Sequence, residues 1–119
     1  MKIRELTEKD VAFEIECMPE DESPIGHFQS GDPEYEESDN AFERKIMREV
    51  EWNQWVWCCV KVTAKFEGFE GVDFLGCCSY ESQDDFEKNG YFEDMKTEAL
   101  NDLNQELQAV ADTVGGLAI

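Results

Sequence analysis

The sequence predicts an α+β fold, a three-stranded antiparallel sheet packed in two layers with helices, and three features carry that expectation. Residues 11–18 and 55–66 alternate apolar and polar side chains with the period of two that a half-buried strand requires. A second β-type run, residues 72–80, follows across Glu67-Gly68-Phe69-Glu70-Gly71, whose two glycines can take the positive φ of a hairpin loop. Residues 41–51 and 91–112 instead repeat apolar side chains at helical spacing. Elements with one apolar face each must cover one another, and two layers are the simplest arrangement.

In the first strand Val11, Phe13, Ile15 and Cys17 alternate with Ala12, Glu14, Glu16 and Met18, which turns Glu14 and Glu16 to water. A lone strand leaves its backbone groups unpaired, so this one is expected to join the hairpin's sheet. Setting Phe66 opposite Val72 places Ala64 by Phe74, Val62 by Gly76 and Val60 by Cys78 on an apolar face, with Lys65 by Asp73 on the other. A slip of one residue would mix the faces. Trp55 and Trp57 fall on the second face, where a loop, a helix or a partner has to cover them.

Between the first strand and the first helix the pattern vanishes. Residues 19–40 hold Pro19, Pro24 and Pro33, eight acids and no Lys or Arg, and read as a long acidic loop. Asp39 or Asn40 is a suitable N-cap for the helix at 41–51, on which Arg44, Lys45 and Arg48 form a basic cluster suited to pairing with local acids. After the hairpin, Ser82 and Asp85 resemble a capping arrangement for a short helix at 82–89, with Gly90 placed to stop it. The helix at 91–112 presents Phe92, Met95, Ala99, Leu103, Leu107 and Val110 as its buried stripe.

At 119 residues the chain is expected to form one α+β domain with its own core. No apolar run approaches the roughly 18 residues of a membrane span and the start lacks a secretory pattern, so a soluble, cytoplasmic protein is expected. Cys17, Cys58, Cys59, Cys77 and Cys78 are then reduced thiols by default. Two Cys-Cys doublets do not chelate as Cys-x-x-Cys does, although each face of the hairpin would receive one cysteine per strand, leaving a cross-strand pair or a distorted metal site open. The single histidine, His27, lies in the acidic loop; a nucleophile pair with Cys17 is conceivable, but a lone histidine near a Pro/Gly turn reads as a surface residue. With no phosphate loop, zinc spacing or calcium-loop order, neither a metal nor a cofactor is expected, nor an enzyme.

The outlying property is a net charge of −19, from 29 acids against 10 bases. Such a charge opposes direct contact with nucleic acid or an anionic membrane. A compact chain of this length is roughly 35 Å across, and that length of duplex DNA bears about 20 charges. The density suffices for a site evolved to hold phosphates. Asp94, Glu98, Asp102 and Glu106 repeat every four residues, a row of carboxylates about 6 Å apart along a helix. That is about half the axial density of one DNA strand, so a second row is needed, from Glu34, Glu36, Glu37 and Asp39 or from Asp84, Asp85 and Glu87. A solubilising acidic face is the plainer alternative.

The strings Trp55-Val56-Trp57-Cys58-Cys59-Val60-Lys61-Val62, Phe74-Leu75-Gly76-Cys77-Cys78-Ser79-Tyr80 and Gly90-Tyr91-Phe92-Glu93-Asp94-Met95 resemble small uncharacterised proteins encoded by phages and prophages. In size and acidity the chain also resembles phage anti-defence proteins that imitate DNA to block restriction or CRISPR enzymes. That resemblance implies a non-enzymatic inhibitor acting in the host cytoplasm on a basic, nucleic-acid-binding host protein. The rival expectation is an adaptor or homodimer built on the Trp55/Trp57 face.

Overall fold

A computed structural model describes residues 2–117. In chain order these form β1 (Ala12–Pro19), α1 (Glu36–Glu49), β2 (Cys58–Phe66), β3 (Phe69–Cys78), α2 (Gln83–Lys88) and α3 (Gly90–Gly115). The strands make one antiparallel sheet in the order β1-β2-β3, as the α+β expectation requires. Short 3-10 turns occupy Glu8–Asp10, Pro33–Tyr35 and Gln54–Val56. The chain divides into two compact units: one takes the segment up to Glu16, Lys61–Phe74 and everything from Asn89, and the other takes Cys17–Val60 and Leu75–Lys88. Among the described residues no helix is long and apolar enough to cross a membrane.

The first unit is organised by the hairpin tip. Glu67 and Gly68 alone connect β2 to β3, with φ of 48° and 84°, the pair of positive values that a type I′ turn demands. The expected five-residue link is therefore too long, and the register moves with it. Lys65 pairs with Glu70 at 3.5 Å and the Lys61 ammonium lies 5.8 Å from the Phe74 ring centroid, contacts between residues equidistant from the two-residue turn. The shift from Phe66 opposite Val72 is three residues, an odd number, so the faces of β3 exchange. Phe74 is half exposed instead of facing the core, and Gly71 takes a buried position.

Gly71 is what seats α3. A side chain built there would fall on the Ala99 carbonyl oxygen and the Leu103 nitrogen and come 2.7 Å from Leu103 Cβ, so only a residue without Cβ admits the helix at this distance. Met95, Ala99 and Leu103 on α3 are buried, as are Val62 and Ala64 on β2. Asp102 fixes the rotation of the helix by accepting the Val72 N–H at 2.9 Å. The segment before β1 is a lead-in along α3: the Asn104 side chain both accepts from the Leu6 nitrogen, at 2.8 Å, and donates to its carbonyl, at 3.1 Å. Asn89, not Gly90, separates the last two helices; its side chain accepts the Tyr91 N–H and so caps α3, which Gly90 opens.

In the second unit α1 starts at Glu36, five residues before the expected position. Asp32 caps the Pro33–Tyr35 turn by accepting the Glu34 N–H, and the helix continues directly from that turn. Glu36, Glu37 and Asp39 stand in its first turn, where the helix dipole favours negative charge. The acidic loop thus ends as helix. Its remainder is tied down: buried Glu43 accepts the Gly26 N–H at 2.7 Å, and Asp39 accepts both the N–H and the hydroxyl of Ser30. Ile46, Val56 and Trp57 form the core here, with Phe28, Val50 and Cys77 packed against them.

Candidate functional site

Both units are acidic, fourteen acids against six bases in the first and fifteen against four in the second, so each has its own surface to account for. In the first unit Asp94, Glu98, Asp102 and Glu106 are all exposed, on a flank of α3 about 100° round the helix from the buried Met95, Ala99 and Leu103. Lys96 is the one base on this helix, and it is engaged elsewhere. Its ammonium lies 3.0 Å from Glu93 and sits over the rings of Phe92 and Phe13 at 4.8 and 5.8 Å. Among the described residues none of the four row acids has an ion-pair partner. Only Asp102 is drawn partly inward, by the Val72 N–H.

The second unit holds the other expected acids. Glu34, Glu36 and Glu37 are exposed on the 3-10 turn and the start of α1, while Asp39 is half-buried through its bonds to Ser30. Asp84, Asp85 and Glu87 lie exposed on α2, where Asp85 accepts the Glu81 N–H. The basic cluster on α1 neutralises little: of its three members only Lys45 has an ion pair among the described residues, to Glu49 at 3.9 Å.

The Trp55/Trp57 face is not an open interface. Trp57 is 4% exposed, its indole N–H donates to the Glu22 carbonyl at 2.7 Å, and His27 and Phe28 pack on it with ring centroids at 5.2 and 5.7 Å. Trp55 is half-buried beside Phe86, at 5.8 Å. Both residues precede β2 in a turn, although the alternation had placed them in a strand. Of the coverings the sequence allowed, the acidic loop and α2 are the ones used.

A grouping that the sequence did not signal lies beside Trp57. Glu22, His27 and Cys77 bring one carboxylate oxygen, one ring nitrogen and one sulfur within 4.8 Å of one another. Cys77 has φ of 54°, a left-handed conformation rare for a residue with a side chain. Glu20 holds it there by accepting its N–H at 2.7 Å, and that bond, with a second from the Glu22 N–H, depresses the Glu20 carboxyl below its ordinary range. The Cys77 thiol donates to Glu22 at 3.2 Å, which pushes its pKa up to about 11. Fifty-five residues separate Cys77 from Glu22, so no spacing motif could have announced the group. The lone histidine inside an acidic segment was its only trace.

Comparison with models of known families, with curated proteins and with solved structures returned no match.

Proposed function

We propose that this protein is a non-enzymatic inhibitor of the phage anti-defence type, anti-CRISPR or anti-restriction in character, which occupies the nucleic-acid groove of a basic host protein through the carboxylates of α3. The observation that carries the reading is the row Asp94, Glu98, Asp102 and Glu106, exposed on a 26-residue helix and unpaired by any base of the described chain. Like charges at i and i+4 cost a helix about 0.2–0.5 kcal/mol per pair. Three such pairs in succession oppose stability by about 1 kcal/mol, which a binding role would account for.

The geometry supports the reading further. Successive members of the row rise about 6 Å and turn about 40° in the right-handed sense, a row of the same hand as a DNA strand but with a longer pitch, about 54 Å. DNA completes a turn in about 34 Å. In the second unit Glu34, Glu36 and Glu37 at the start of α1 and Asp84, Asp85 and Glu87 on α2 are exposed acids as well, the groups from which a second row would have to come. A partner's cationic cleft would attract such a surface strongly at low salt and weakly at high salt.

Charge reversal tests this. Asp94, Glu98 and Glu106 are changed to Lys together, leaving Asp102 in place because it bonds the hairpin. The variant is expected to keep its fold and lose capture of nucleic-acid-binding proteins from a bacterial lysate. Undiminished capture by a folded variant would reject the proposal.

A further inference from the structure

We propose that Glu22, His27 and Cys77 form a binding site for a single divalent transition-metal ion of the zinc class, which clasps the acidic segment after β1 onto the end of β3. A sulfur, an imidazole nitrogen and a carboxylate oxygen are the donor set that such ions favour, while calcium and magnesium call for oxygen alone. The spacing fits as well. Zinc bonds of about 2.0–2.3 Å at tetrahedral angles put neighbouring donor atoms about 3.3–3.5 Å apart. Here the Cys77 sulfur is 3.2 Å from Glu22 Oε2 and His27 Nε2 is 3.6 Å from Glu22 Oε1, and one donor atom from each residue lies within 4.8 Å of the other two, so a small inward adjustment of these side chains brings them to that spacing. Three protein donors leave the fourth position to water.

The surroundings brace each donor. Glu20 accepts N–H groups from both Cys77 and Glu22, joining the backbones of two donors through one carboxylate. The Trp57 indole holds the Glu22 carbonyl, and its ring lies against His27. His27 is also fixed by a turn, its N–H donating to the Pro24 carbonyl at 3.2 Å. Second contacts of this kind orient the ligands of metal sites, and losing one commonly weakens binding by about 10–100-fold. Gly76 lies at the same place: a Cβ there would be 3.1 Å from Glu20 Oε2, so the strand has room for the brace only with glycine or a small shift.

The alternative is a set of hydrogen bonds that never meets a cation. Titration with Co²⁺ and Zn²⁺ decides between them, because a thiolate ligand gives Co²⁺ a charge-transfer band that carboxylates alone do not. The expected result is one ion per chain, a thiolate–cobalt band with tetrahedral visible bands, and displacement of Co²⁺ by Zn²⁺. Cys77→Ser should abolish the band, His27→Ala should weaken Zn²⁺ binding at least tenfold, and Cys59→Ser should leave both unchanged. Circular dichroism of each apo variant confirms folding. Glu20→Gln, which removes no donor, should weaken binding about tenfold without removing the band. Co²⁺ bound with no thiolate band, or a band that survives Cys77→Ser, would overturn the site and leave only diffuse binding to surface carboxylates. Neither outcome bears on α3, whose row lies in the other unit.

Discussion

Gly71→Ala is the smallest change that should unseat the acidic helix. The new methyl would meet backbone atoms of α3, the Ala99 oxygen and the Leu103 nitrogen, as well as Leu103 Cβ at 2.7 Å. No rotamer change can relieve contact with backbone, so the helix has to move off the hairpin. Overpacking costs about 1–3 kcal/mol, and a backbone neighbour places this case at the upper end. Against it stands a gain of about 0.4–1 kcal/mol from the less flexible unfolded chain. The net loss is about 2 kcal/mol, or roughly 8 °C in Tm for a chain of this size. Thermal unfolding followed by circular dichroism reads the shift, and exchange of the Val72 amide should quicken as its bond to Asp102 loosens. Gly90→Ala is the control, since nothing lies within 4 Å of a Cβ there and its φ is not positive; it should be neutral or slightly stabilising. A Gly71→Ala Tm within about 2 °C of the parent would refute the close-approach argument.

Other outcomes follow from the same contacts. Glu98→Gln removes two like-charge pairs on α3 and should raise stability by about 0.5–1 kcal/mol at low ionic strength, a gain that disappears at about 1 M salt. Glu43→Ala leaves the Gly26 N–H without its buried acceptor and should cost about 1.5–3 kcal/mol; limited proteolysis should then cut near Pro24–Phe28, whereas Glu43→Gln stays protected. Burial pushes the Cys78 thiol up to about 11, so the folded chain keeps a proton that the unfolded chain releases near pH 9. That contribution is complete below pH 9 and is lost as pH rises through about 11, and Cys78→Ala should flatten the alkaline limb of a stability–pH curve. Asp10 behaves oppositely: the Thr7 N–H and Arg4 hold its carboxyl below the ordinary range, so its contribution is present above the unfolded pKa and fades as pH falls through the folded one. An NMR titration of Asp10 with a midpoint at the ordinary carboxylate value would contradict this.

Much of the fold was legible because periodicity is a local property. The alternation of Val60, Val62 and Ala64 and the stripe of Met95, Ala99 and Leu103 located a core strand and the long helix, and all six side chains are buried. What failed was what one residue of turn geometry can reverse. Either Glu67-Gly68 or the longer link to Gly71 could have closed the hairpin, and choosing the longer one moved Phe74 to the wrong face and gave Gly71 a turn role in place of its contact with α3. The start of α1 was hidden because Glu36, Glu37, Ser38 and Asp39 carry no apolar stripe, although acids suit a first helical turn. The exposure of the row on α3 could be anticipated from the buried stripe about 100° round the helix from it. The contact of Lys96 with Phe92 is local, four residues apart on one helix, but its contact with Phe13 could not be anticipated, since it depends on where β1 lies. Nor could the grouping of Glu22, His27 and Cys77, which depends on a left-handed cysteine that no local pattern encodes.

The central claim is that the carboxylates of α3 take the place of phosphates in a partner's groove. Its most direct measurement is the affinity of this protein for a captured partner, determined with and without competing duplex DNA and across a range of salt. The account predicts that DNA and the protein exclude each other, and that affinity falls steeply with salt for the parent and is lost when Asp94, Glu98 and Glu106 become Lys. A complex that forms equally well on a DNA-saturated partner, or whose affinity ignores both salt and the three substitutions, would contradict it.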